Sequence, residues 1–185
     1  MSDIDYISNT ILYTDRLCLR PLRDEDAPQI FALRSDANVN QYLDRTPCKT
    51  LEDAKVFISG IRERTKDSSL YYWAVCMQDE CIGAVCLFDF SEEEQSIEIG
   101  FELLPKFHGN GYMQEATTKV IHFIIENRSE AKMTPKALIE IKKIHALVHP
   151  DNINSIKLLQ KLNFIQIDHL EENPKSNLIR YLLKI

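Results

Sequence analysis

The chain has 185 residues, 44% of them hydrophobic, and a formal charge of −6, a balance that gives one domain with a substantial core. The negative charge argues against general nucleic-acid affinity, and no basic stripe interleaved with aromatics offsets it. The apolar runs are too short to cross a bilayer as a helix, and acid stands near the start where a secretory leader carries Lys or Arg. Cytoplasmic residence with no membrane partner is the default reading.

Residues 16–22, Arg-Leu-Cys-Leu-Arg-Pro-Leu, alternate as a strand does. Asp24, Glu25 and Asp26 then put acid where a helix begins, and Ile30, Leu33 and Ala37, with Phe31 beside them, give it one apolar face. A second helix starts at Thr50, an N-cap with Asp53 three residues on, and carries Leu51, Ala54, Phe57, Ile58 and Ile61 at helical spacing. From Tyr71 the period changes to two. Residues 71–77, 81–90 and 95–104 are three strand-like runs whose short connections fit an antiparallel meander.

A helix follows over 112–127, with Ala116, Val120, Phe123, Ile124 and Asn127 as its buried stripe, and a strand over 144–148 returns parallel to the 95–104 strand. The segment 128–140 lengthens this crossover, and no function is assigned to it. A helix over 154–162, a strand over 164–170, a turn at 171–176 and a last strand over 178–185 complete the pattern. Five cysteines form no CxxC pair. Three of them lie in strand patterns, where Cys acts as a small hydrophobe, while Cys48 sits in a polar loop and is the most reactive candidate.

The stretch 103–116 places Gly109 and Gly111, two of the five glycines, between a strand and a helix. The free N–H groups of a first helical turn and the aligned peptide dipoles favour an anion there, and glycine lets a phosphate approach without a Cβ in the way. A pyrophosphate-bearing ligand is the first expectation. A P-loop phosphotransferase is disfavoured, because no Lys-Ser or Lys-Thr follows the glycines.

Three blocks extend this reading: Glu98-Ile99-Gly100-Phe101 running into Pro105 to Tyr112 and Glu115-Ala116; Val148-His149-Pro150-Asp151-Asn152-Ile153-Asn154-Ser155; and Leu158 to Phe164. With the opening Thr14-Asp15-Arg16-Leu17-Cys18-Leu19-Arg20-Pro21-Leu22, they resemble the GNAT superfamily of acetyl-CoA-dependent N-acetyltransferases, in the branch of the ribosomal-protein N-terminal acetyltransferases. The resemblance implies an α/β (α+β) single-domain fold over 1–185, with a mixed, mostly antiparallel twisted sheet of about seven strands and about four flanking helices. It also implies acetyl-CoA as co-substrate. In similar proteins strand backbone, here Phe101, Leu103 and Leu104, pairs with the pantetheine arm, and loop amides, here His108, Gly109, Asn110, Gly111, Tyr112 and Met113, cradle the pyrophosphate. Asn152 matches a position that hydrogen-bonds the cofactor, and Ser155 one near the thiol.

The departures are informative. Lys106 stands where many members carry Arg or Gln and is expected to contribute at most electrostatically. Asn163 replaces the usual Gly before Phe164, and Asn tolerates the left-handed conformation that such a helix end needs. No tyrosine lies between Ser155 and Phe164, so Ser155 is the better candidate for protonating the leaving thiolate.

Acetyl transfer requires a deprotonated amine, a polarised thioester carbonyl and a protonated leaving thiolate. Glu98, mid-strand in an apolar setting, is the candidate base or else a structural carboxylate; Glu102, on the same strand face, is the second candidate. A strand N–H between Ile99 and Phe101 is the candidate oxyanion donor. Glu115 is expected to stabilise the helix start, His108 to be a loop side chain, and His145 and His149 to be strand residues. Tyr42, Tyr71, Tyr72 and Trp73 either line an acceptor pocket or belong to the core. No metal is expected. The leading expectation is acetyl transfer to a primary amine, a protein N-terminus or a small molecule, by a monomer or homodimer. The alternative is a catalytically silent acyl-CoA-binding sensor or interaction module.

Overall fold

The computed structural model describes residues 10–66, 69–127, 141–167 and 177–185. Its strands are β1 (Leu12–Tyr13), β2 (Cys18–Arg20), β3 (Leu70–Met77), β4 (Glu80–Ser91), β5 (Ser96–Leu103), β6 (Lys143–Val148), β7 (Ile165–Ile167) and β8 (Ile179–Lys184). Among the described residues, all eight join one sheet in the order β1-β2-β3-β4-β5-β6-β8-β7, antiparallel throughout except between β5 and β6. The expected meander and parallel return are both present.

Alternation along the strands sorts the core into two layers. Tyr71, Trp73 and Val75 pack with α4 (Tyr112–Asn127) and α5 (Ile153–Lys161) on one face. Tyr72, Ala74 and Cys76 pack with α1 (Ala27–Ser35) and α3 (Leu51–Lys66) on the other. Helix α4 buries Ala116, Val120, Phe123 and Ile124, and Phe123 meets Trp73 edge-on with ring centroids 6.0 Å apart. Asn127, placed in that stripe by its spacing, is half-buried at the helix end and donates its side-chain amide to the Phe123 carbonyl.

Caps set the helix ends. Asp53 N–H donates to Thr50 Oγ1 at 3.2 Å and Thr50 N–H donates to Asp53 Oδ2 at 2.9 Å, the reciprocal arrangement of a capping box. Helix α5 ends in a Schellman turn: Asn163 has φ +63°, with Phe164 N–H on the Leu159 carbonyl and Asn163 N–H on that of Gln160.

Two elements differ from the sequence reading. The first helix stops at Ser35, because Asp36 is extended and its Oδ1 accepts the N–H groups of Asn38 and Val39, starting the separate four-residue helix α2 (Ala37–Asn40). The sheet also gains β1, whose Leu12 pairs with Leu19. The segment 128–140, the end of the strand expected over 164–170 and the turn at 171–176 lie outside the described residues.

A buried ion pair ties β2 to α1. Both terminal nitrogens of Arg20 reach the Asp26 carboxylate at 2.7 Å, and Asp26 also accepts the Arg23 N–H. The hydrogen bond to Asp26 holds the Arg20 guanidinium still more firmly protonated than usual. Four thiols, Cys18, Cys76, Cys81 and Cys86, lie on the α1/α3 face. Burial pushes the Cys86 thiol up to about 12 and raises that of Cys18, so both stay protonated at neutral pH.

Candidate active site

Strands β5 and β6 pair over three rungs only, Ser96 with Lys143, Ile97 with Ile144 and Glu98 with His145. Beyond that last rung β5 continues to Leu103 beside β4, and β6 continues to Val148 beside β8. The sheet therefore opens between them. Leu104 N–H donates to the Ile82 carbonyl at 2.9 Å. In an antiparallel ladder this sets the alternation so that Glu102, Gly100 and Glu98 bond to β4, and the backbone groups of Ile99, Phe101 and Leu103 face the opening. One edge of the wedge is thus a short row of strand N–H and C=O groups, which a ligand with amides of its own can extend.

At the carboxyl end of β5 the chain turns through Pro105, Lys106 and Phe107 into the glycine loop. Gly109 and Gly111 both take φ +78°, a left-handed conformation costly for other residues. A Cβ on Gly109 would meet nothing within 4 Å, so its surroundings are open on the loop side. His108 spends its own N–H on the Pro105 carbonyl, and its ring Nε2 lies 2.9 Å from the Leu103 carbonyl oxygen. The imidazole is a brace for the loop, and the loop's unspent donors begin at Gly109. In the first turn of α4, the N–H groups of Tyr112, Met113 and Gln114 find no backbone acceptor among the described residues. Lys106 is drawn aside to Glu80 at 2.6 Å and over the Phe107 ring.

Arg16, just before β2, clasps this loop from outside. Its Nη1 donates to the Asn110 carbonyl at 3.1 Å, its Nε to Glu115 Oε2 at 2.7 Å, and its guanidinium lies 4.5 Å from the Tyr112 ring centroid. Glu115 also accepts Thr14 Oγ1 and the Arg16 N–H. Burial pushes the Glu115 carboxyl up, but these hydrogen bonds outweigh it and hold the group below the usual carboxylate range.

The opposite side of the wedge is polar. Glu98, Gly100 and Glu102 share one face of β5 with Tyr72, Cys86 and Phe88. Glu102 forms an ion pair with Arg45 at 2.7 Å and accepts the Tyr72 hydroxyl at 3.3 Å. Burial, with the Glu102 charge second, pushes the Tyr72 phenol well above its ordinary range. Glu98 Oε2 lies 3.6 Å from His145 Nε2, and Tyr42 stacks on His149 with centroids 5.3 Å apart.

The model of the acetyltransferase (GNAT) domain matches residues 16–165. The chain belongs to the GNAT acetyltransferases. An uncharacterised N-acetyltransferase of Bacillus licheniformis, p20, is 31% identical over 168 residues, 89% of this chain and 88% of its own. RimJ of Mycobacterium smegmatis, solved in complex with a CoA-disulfide, matches at a TM-score of 0.78 and 15% identity, covering 95% of this chain and 88% of that one. An acetyltransferase from Salmonella typhimurium that modifies the N-terminal serine of ribosomal protein L7/L12 matches at 0.76 and 16% identity, covering 95% and 99%. The overall fold is that of the GNAT acetyltransferases, and acetyl-CoA-dependent acetyl transfer is the family's reaction.

Within this GNAT frame the structure sorts the sequence candidates. Phe101 and Leu103 flank the opening and Gly109 to Met113 end it, so these strand and loop candidates share one cleft. Leu104, expected beside them, is not on that edge: its N–H is spent on the Ile82 carbonyl and its C=O accepts the Phe107 N–H. Asn152 is the N-cap of α5 and its Oδ1 accepts the Ser155 N–H at 3.2 Å, which leaves the half-buried Ser155 hydroxyl available. Of the four aromatics, Tyr72 and Tyr42 contact cleft-side groups, whereas Tyr71 and Trp73 are core. Arg16, Arg45 and Asp89 escaped sequence reasoning. Arg16 and Arg45 owe their roles to contacts with residues remote in sequence, and Asp89 to a local irregularity of its strand.

Proposed function

We propose that this protein, read as one acetyltransferase domain over 1–185, moves an acetyl group from acetyl-CoA to a primary amine of a protein N-terminus by direct attack in a ternary complex. The observation carrying this reading is the parting of β5 from β6 after the Glu98–His145 rung, with the glycine loop at the far end of the gap. That spacing suits a donor whose anionic end rests on the amides of Gly109 to Met113 and whose amide-bearing arm extends the edge at Phe101 and Leu103. The acceptor nitrogen then comes from the polar face.

Glu98 takes a proton from the acceptor ammonium, the Ile99 or Phe101 N–H polarises the carbonyl, and the Ser155 hydroxyl protonates the departing thiolate. Asn152 orders the turn that presents Ser155. The N-terminus is preferred to a small amine because a structural neighbour modifies a ribosomal N-terminal serine. No step in this scheme needs a metal, cytoplasmic residence fits such an acceptor, and a monomer or homodimer serves equally.

The test is thiol release from acetyl-CoA over a panel of peptides with free N-termini, the same peptides N-terminally blocked, and small polyamines. Free peptides alone should turn over. Acetyl-CoA at 100 times its dissociation constant should raise stability by about 2.7 kcal/mol; the absence of both turnover and a raised melting temperature would sink the proposal.

A further inference from the structure

Strand β4 breaks its pairing with β5 between Phe88 and Ser91, and Asp89, at that break, has φ +52°. Phe88 pairs with Glu98 and shares its face, so in a regular strand the next side chain, that of Asp89, would point to the opposite face. The bulge reverses it. A carboxylate oxygen of Asp89, one of Glu98 and a ring nitrogen of His145 all lie within 4.8 Å of one another. Asp tolerates the left-handed region better than most residues, and bulges next to active sites re-aim side chains.

His145 is 6% exposed, and its Nδ1 has no hydrogen-bond partner among the described residues. Its Nε2 faces Glu98. A buried ring nitrogen left unpaired costs stability, so its presence here calls for an explanation. The cluster stands on the last rung before the sheet opens.

We infer that Asp89 and His145 form one proton-accepting array with Glu98, in which Glu98 meets the acceptor amine while the other two position it and share the proton. This rests on the reading of Glu98 as the base. The acceptor enters as an ammonium and one proton passes to the array. The freed lone pair forms the C–N bond, and the electron pair of the C–S bond leaves with sulfur. The thiolate takes the second nitrogen proton by way of the Ser155 hydroxyl, and the array returns its proton to water. Among the described residues, other titratable groups facing the cluster include Cys86 on β4, Glu102 on β5 with its partner Arg45, and Glu94, held by Arg180 of β8 at 2.7 Å.

The experiment measures kcat against pH, with a peptide acceptor and saturating acetyl-CoA, for wild type, Glu98→Gln, Asp89→Asn and His145→Gln, and the acetyl-CoA dissociation constant of each. Asparagine tolerates φ > 0, so Asp89→Asn removes charge and keeps the backbone. Glu98→Gln should lose a factor of about 10²–10⁴ in kcat with acetyl-CoA affinity unchanged. Asp89→Asn and His145→Gln should each lose roughly tenfold and displace the acidic limb to lower pH, because a negative charge or a second proton site has gone. If both keep the wild-type profile while Glu98→Gln is inactive, the array fails and Glu98 alone is the base. If Glu98→Gln is as active as wild type, the base reading itself fails. Loss of wild-type activity to a chelator, restored by Zn2+ or Mn2+, would make the cluster a cation site and also overturn the inference. Should His145→Gln not fold, Asp89→Asn decides.

Discussion

Arg16 grips Glu115 through Nε at 2.7 Å and Nη2 at 2.6 Å, while its Nη1 donates to the carbonyl of Asn110. One side chain thereby fixes both the middle of the glycine loop and the helix turn that follows it. Arg16→Ala should weaken acetyl-CoA binding about tenfold, some 1.4 kcal/mol. The side chain is 46% exposed, so the loss of global stability should be smaller, about 1 kcal/mol or less. Calorimetric titration beside a thermal melt separates the two effects.

The same pair gives a pH signature. Glu115 has its folded pKa lowered, so the unfolded chain takes up the proton first as pH falls. The stability it contributes is present above the ordinary glutamate pKa of about 4.3 and is lost as pH drops through the folded value. Wild type should therefore melt above Glu115→Gln at pH 7, and the gap should close as pH falls below about 4. A gap that stays unchanged from pH 7 down to the onset of acid unfolding would show that charge is not its source.

Gly109→Ala tests the loop. No atom lies within 4 Å of the added Cβ, so the folding penalty is the left-handed backbone alone, about 1–2 kcal/mol or roughly 3–6 °C in Tm. Acetyl-CoA affinity should fall by more than tenfold, because the methyl group enters the space an anion would use. Equal affinity in the two proteins would place the pyrophosphate elsewhere.

Ser155→Ala should lower kcat by about 10²-fold and leave the acetyl-CoA dissociation constant within twofold. A rise in that constant with kcat unchanged would instead make Ser155 a binding residue.

Asp26→Ala leaves Arg20 charged in a site where the native side chain is 8% exposed. Removing one partner of a buried ion pair costs about 3–5 kcal/mol, which should appear as a drop of roughly 10 °C in Tm. The double variant Arg20→Met/Asp26→Leu should recover most of it.

Much of this architecture was legible in the sequence where a period persisted long enough to register. Strands β3 to β5 alternate over eight or more residues, and α4 keeps its apolar stripe over sixteen. The left-handed turn at Asn163 followed from the family resemblance, which puts Gly there, together with the tolerance of Asn for that conformation. Strand β1 has two residues and α2 four, too few for any period. The wedge has no local signature, because it is the place where a ladder ends. The partners of Arg16 and Arg45 are remote in sequence. The side-chain direction of Asp89 depends on a bulge that an acidic turn nearby does not announce.

Strand β6 is joined to β5 by three rungs and to β8 by six. Its principal neighbour is thus translated only after α5 and β7. While the ribosome is still making that stretch, the glycine loop and the β3 to β5 meander have already been synthesised, but the second wall of the cleft has only its three rungs to β5. A nascent chain halted before Ile179 should consequently bind acetyl-CoA poorly however well its first half has folded, which makes the donor site a late event in the life of each molecule.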